Sequence, residues 1–192
     1  MDSDKIINFL FEIATLRRLT RSHRQMIAEV SDNISDHSFR VAVIGMILAS
    51  LEKADENKVL KMCLFHDLAE ARTGDANSIN KQYLDLREDQ AVADQAQGLP
   101  IAQTIIDNFT EYKKQTSPEA TVAMDADLID QMILQQEYFY KDQTNGKIWQ
   151  SHTEERLKTD SAKQIAQKIK TSNPFEWLYA LLEQKRNIKI ER

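Results

Sequence analysis

Two histidines and a small set of carboxylates stand where they could bind a metal ion. His37 lies near the start of "SDHSFRVAVIGMILASLEKA", and His66-Asp67 closes the apolar run "VLKMCLFHDLAEA". Asp125 and Asp127 interrupt the strongly apolar stretch "MDADLIDQMI". Imidazole and carboxylate are the ligands that suit a divalent first-row metal. An ionised carboxylate inside an apolar helix costs on the order of several kcal/mol without a partner, and a bound cation resolves that cost. An isolated His-Asp pair at a helix end most often faces solvent, so the weight rests on the set. Helices packed side by side would bring both imidazoles and the carboxylates to one point.

The elements that must do this are helices. With 4 Gly and 3 Pro the chain has few of the turn dipeptides that an all-β fold needs, and its apolar residues recur mostly at helical spacing. The fold class is all-α. In the first site-bearing helix Ser35 or Asp36 is the cap, with Phe39, Val43, Ile44, Ile47 and Leu51 along one side. The second starts at Asp55, with Val59, Leu60, Cys63 and Leu64 apolar. The third opens with Ser117, Pro118 and Glu119, and a late one with Asn173, Pro174 and Glu176 in a capping-box arrangement. Weaker helices are expected at about 6–16, 81–96, 100–113 and 153–169, and "FYKDQTNGKIWQSH" reads as a loop.

The 192 residues suffice for one domain with a substantial core. A net charge of −5 argues against nucleic-acid binding through a broad basic face. The single Cys63 excludes an intramolecular disulfide framework and sits in an apolar run, as a buried thiol would. That fits a reducing compartment, and the acidic, interrupted N-terminus reads as an amphipathic helix rather than a signal or membrane-spanning segment. A cytoplasmic location is expected.

Taken in order, His37, His66-Asp67 and the late Asp resemble the H…HD…D pattern of the HD-domain metal-dependent phosphohydrolases, an all-α superfamily. The resemblance covers roughly Phe9 to Tyr140 and leaves the C-terminal helices at about 152–190 as closing elements of the same domain. Within the superfamily, "HDLAEARTGDAN" is similar to the bacterial 5′-deoxynucleotidase-like branch, through Glu70, Gly74 and Asp75. The adjacent acidic pair of the stringent-response hydrolases, the Gly-Tyr-Pro of the cyclic-dinucleotide phosphodiesterases and the extra histidines of the triphosphohydrolases are not found after this HD.

The last ligand is contested between two readings. At about 100° per residue Asp125 lies on the apolar face with Val122, Leu128, Ile129 and Met132, and Asp127 points away from it. The family pattern instead matches Ala126-Asp127 followed by Ile129. We take Asp127, with Asp125 as the alternative.

The resemblance implies hydrolysis of a (deoxy)nucleoside 5′-monophosphate with one divalent ion, Mn, Co, Fe, Mg, Ni or Zn, held by His37, His66, Asp67 and Asp127. Glu70 would orient or deprotonate the attacking water, and Asp75 would protonate the leaving 5′-oxygen or hold the nucleoside. Arg21, in "LRRLTRSHRQ", would face the phosphate and Lys81 would touch the same group. Arg17, Arg18 and Arg24 read as a solvated face. The branch often places a Trp beside the phosphate-binding Arg; here Ser22, His23 and Arg24 follow Arg21. His23 reads as a surface residue, His152 as no ligand, and Trp149 and Trp177 as core or subunit contacts. Relatives are often dimers, so a homodimer is expected. Other readings remain: an HD-fold hydrolase of another phosphorylated metabolite, a non-catalytic metal- or nucleotide-binding regulatory module, and a purely structural buried polar network.

Overall fold

The computed structural model describes residues 2–26, 32–140 and 143–186. Its helices are α1 (Ser3–Ile13), α2 (Ile34–Glu52), α3 (Glu56–Phe65), α4 (Glu70–Thr73), α5 (Glu88–Ala96), α6 (Ala102–Lys114), α7 (Pro118–Phe139), α8 (Gln143–Glu154), α9 (Asp160–Ile169) and α10 (Glu176–Arg186). Among the described residues there is no strand, only an isolated bridge between Thr20 and Asn33.

Three helices form the frame. α2 packs along α3 and α7, and the main core gathers Val41, Leu48, Val59, Met62, Ala126 and Ile129 between them. Gly45 permits this approach, because a Cβ there would lie 2.5 Å from the Cys63 sulfur. A second cluster, with Leu68, Val92, Ile105 and Phe109, joins the segment after α3 to α5 and α6. Cys63 is fully buried, and burial pushes its thiol up to about 12, as expected of an inert core residue.

Several expectations are corrected. The cap of α2 is Asn33, whose side chain accepts from Asp36 N–H, rather than Ser35 or Asp36. Its inward face carries Ile34, His37, Val41, Ile44 and Leu48, whereas Phe39 is 71% exposed and Val43, Ile47 and Leu51 also face outward. Apolar residues occupy both sides of α2, so periodicity did not mark its inner face; the close contact at Gly45 did. By length and composition α2 could cross a bilayer, yet its inner side is the centre of the bundle.

The expected loop is helical from Gln143, with residues 141–142 outside the described part. Polar contacts dock this helix on α7: Gln135 donates to Thr153 Oγ1 at 3.0 Å and Gln150 to Gln136 at 3.0 Å. The helix expected at 81–96 begins only at Glu88, and that at 153–169 is divided by a turn capped at Thr159. Asn173 Oδ1 accepts from Phe175 N–H, one step before α10 opens at Glu176. Residues 187–190 of that expected helix lie outside the described part.

Candidate metal centre

His37 enters the interior from the second turn of α2, and His66 follows the last residue of α3. The two Nε2 atoms face each other at 3.2 Å. Asp67 Oδ2 lies 3.1 Å from His66 Nε2 and 3.4 Å from His37 Nε2, and Asp127 Oδ1, from α7, lies 3.4 Å from His37 Nε2. One ligand atom from each of His37, His66 and Asp127 falls within a 4.8 Å group.

The outer nitrogens explain why the inner ones converge. His66 Nδ1 meets the Cys63 carbonyl at 2.8 Å, and a carbonyl only accepts, so this nitrogen carries the hydrogen. His37 Nδ1 meets Asp130 Oδ2 at 2.7 Å, and Asp130 is itself held by Arg40. When neutral, each imidazole therefore aims an Nε2 lone pair toward Asp67 or Asp127. The ligand atoms of His37, His66 and Asp127 lie close enough to share a divalent cation, with Asp67 Oδ2 against both histidines, and partners on the far nitrogens are the usual way such histidines are oriented. Burial and Arg21 act to lower the His37 imidazole, but Asp127, Asp130 and Asp67 outweigh them and hold it well above its usual range. The field at this point favours positive charge.

The two candidate aspartates of α7 separate cleanly. Asp125 is fully buried, as periodicity required, but it accepts from Lys158 N–H at 3.0 Å, Thr159 N–H at 2.7 Å and Thr159 Oγ1 at 2.7 Å. It anchors the turn between α8 and α9. Asp127 faces the histidines and accepts from Tyr112 Oη at 3.3 Å.

A cavity of about 300 Å3 opens onto His66, Asp67, Glu70 and Asp127. Tyr112, Met124, Lys81, Glu88, Lys113 and Arg156 complete its wall. Grooves of about 530 and 510 Å3 along α8–α9 and α2–α9 are larger but more open and contain no histidine. Glu70 is buried at the start of α4 with Oε2 lacking any partner. Burial, then the charges of Asp67 and Asp75, push its carboxyl up to about 9, with Arg21 and Lys81 opposing.

Arg21 and Asp75 sit beside this cavity rather than on its wall. Arg21 Nη1 pairs with Asp67 Oδ2 at 3.2 Å, and its Nε lies 3.9 Å from Asp75 Oδ2, which accepts from Ser22 N–H at 2.6 Å. Gly74, at φ 77° and ψ 158°, takes the positive-φ extended conformation that glycine allows, just before Asp75. Lys81 is on the wall with its Nζ 3.9 Å from Glu88. Arg17, Arg18 and Arg24 are exposed, as expected, and His152 is exposed as well. His23 is not a surface residue: both ring nitrogens are buried, and its ring packs edge-on to Trp149 at 5.3 Å. The reason is α8, which was not anticipated. Trp177 is largely exposed.

Sequence reasoning missed Asp130, Arg40, Tyr112 and Arg156. The first two had a legible signal: Arg40 stands three residues after His37 on α2, and Asp130 three after Asp127 on α7, so each shares a helix face with its site residue.

Comparison with known proteins agrees with this geometry. The mouse (Mus musculus) and human (Homo sapiens) proteins named 5′-deoxynucleotidase HDDC2 are each 26% identical over 151 residues, covering 74% of this chain and 74% and 72% of theirs. A crystal structure described as a predicted metal-dependent phosphohydrolase from Magnetospirillum magnetotacticum MS-1 shares the fold. It superposes with a TM-score of 0.69 at 20% identity, over 86% of this chain and 89% of that one. The HD domain family model matches residues 13–170, beyond the helices that carry the ligands and through α9. The chain belongs to the HD domain family.

Proposed function

We propose that this protein, as a single HD domain, is a metal-dependent phosphomonoesterase that hydrolyses (deoxy)nucleoside 5′-monophosphates to nucleoside and phosphate. The observation that carries the reading is the meeting of two oriented imidazoles with Asp67 and Asp127, beside a buried carboxyl with a free oxygen, at one cavity. The similarity to proteins named 5′-deoxynucleotidase supports the substrate class.

His37, His66, Asp67 and Asp127 would hold one divalent ion, which when bound would supply Lewis acidity to a phosphoryl oxygen and lower the pKa of a water. Glu70 would orient the attacking water through its unpartnered oxygen and, once a bound cation offsets the charges of Asp67 and Asp75 and returns its carboxyl to the ionised form, take its proton. Asp75 protonates the leaving 5′-oxygen or holds the nucleoside, and through Ser22 N–H and Arg21 it fixes the segment before α2. Arg21 offsets the negative charge of Asp67 at the phosphate end, and Lys81 adds positive charge on the wall.

The test is phosphate release from deoxyribo- and ribonucleoside 5′-monophosphates by metal-stripped protein resupplied separately with Mn, Co, Mg and Zn. Release restored by a metal is expected; tight metal binding with no release from any substrate would instead indicate a binding module. The reading extends to a cytoplasmic homodimer without nucleic-acid or membrane partners. A buried lone thiol supports the compartment, and the outward Phe39, Val43, Ile47 and Leu51 of α2 support self-association. Sedimentation of the protein with and without Phe39→Glu tests the dimer, and fractionation of cells expressing it tests the location.

A further inference from the structure

We propose that Arg156 is a substrate-binding residue that engages a non-bridging phosphoryl oxygen from the turn between α8 and α9; this rests on the phosphohydrolase reading above. Three cations line the cavity: Lys81, Lys113 and Arg156. Lys113 Nζ lies 3.0 Å from Asp89 and 3.3 Å from Glu88, and Lys81 Nζ lies 3.9 Å from Glu88. Arg156 is exposed and pairs with no carboxylate among the described residues. The cation already beside Asp67 is Arg21, which is committed to Asp67 and Asp75 and stands off the wall.

The backbone under Arg156 is fixed although its side chain is free. Leu157 is buried beside it, and the next two residues donate three hydrogen bonds to the buried carboxylate of Asp125. Asp125 and Asp127 lie two residues apart on α7, so one helical turn carries both a site carboxylate and the anchor for Arg156. A guanidinium whose origin is held in place, with donors unspent, matches a phosphate dianion in charge and in its planar fork. Asp67, Glu70 and Asp127, which line the same cavity, would repel such an anion, and among the lysines and arginine of the wall Arg156 is the one without a carboxylate partner among the described residues.

The probe is inorganic phosphate, titrated calorimetrically into manganese-loaded protein, with steady-state hydrolysis of nucleoside 5′-monophosphates alongside. Arg156→Ala is expected to weaken phosphate binding by about tenfold or more. KM should rise by a similar factor while kcat changes less, and Arg156→Lys should recover part of the loss. Lys158→Ala, a change to an exposed cation of the same turn that is off the cavity wall, should leave both unchanged. Unchanged phosphate binding in Arg156→Ala overturns the proposal. So does an equal loss in Lys158→Ala, which would mean a diffuse charge effect, or a raised KM with phosphate affinity intact, which would place Arg156 on the nucleoside. If phosphate binding depends on Arg156 but no nucleotide is hydrolysed, the substrate reading fails and the anion contact stands.

Discussion

Asp130 is the most informative residue to perturb, because it is proposed to act on the metal without touching it. Its Oδ2 lies 2.7 Å from His37 Nδ1, and Arg40 holds the same carboxylate. Asp130→Ala removes the acceptor that keeps Nδ1 protonated and Nε2 aimed inward. Loss of such an orienting partner lowers metal affinity by about 10- to 100-fold, equivalent to about 1.4–2.8 kcal/mol. Asp130→Asn keeps an acceptor oxygen but loses the charge facing Arg40, so its loss should lie near the lower end. The metal-free fold should suffer separately, since a buried imidazole N–H left without a partner costs about 1–3 kcal/mol. For a chain of this size that is about 2–4 °C in Tm per kcal/mol. Competition with a chelating dye measures the metal affinity, and thermal denaturation with and without metal separates the two effects. A folded Asp130→Ala variant that binds manganese as tightly as the parent would refute the reasoning, because His37 would then not be a ligand oriented through its Nδ1.

Glu70→Gln should leave metal content nearly intact while kcat falls by about two to four orders of magnitude; unchanged turnover would remove Glu70 from the chemistry. Gly45→Ala places a methyl 2.5 Å from the Cys63 sulfur, so overpacking should destabilise the fold by about 1–3 kcal/mol, read from denaturant unfolding. Burial, then the charge of Arg21, lower His23 to about 4 from an ordinary 6.5. Between those values the unfolded chain binds the proton and the folded one does not, so His23 makes stability fall on acidification from about pH 6.5 to 4, by at most about 3 kcal/mol. His23→Gln should flatten that part of the stability–pH curve, and an unchanged slope would show that His23 titrates alike in both states.

Much of the bundle was legible because helix ends announce themselves chemically. Asp55 caps α3 and Ser117 with Pro118 opens α7, as read from those residues alone. α8 was not legible, because Gln143–Glu154 is polar and carries a Gly; its helix is held by Gln135 and Gln136 of α7, far away in sequence. The inward side of α2 was misread for a related reason. A helix apolar on both faces has no periodic signal to say which face is inner.

By itself the sequence determined an all-α chain with two imidazoles and a run of carboxylates in a fixed order, since residue type sets ligand chemistry and spacing sets helix register. Only the tertiary structure decided between Asp125 and Asp127. Both carboxylates needed partners, and a helix wheel says which is buried, not what it meets. Asp125 met the backbone N–H groups of the turn at Lys158 and Thr159, and Asp127 met the histidines. The same packing brought Asp130 against His37 across 93 residues and set Arg156 on the cavity wall. Such pairings depend on how helices dock, and docking is a property of whole surfaces that no local spacing contains.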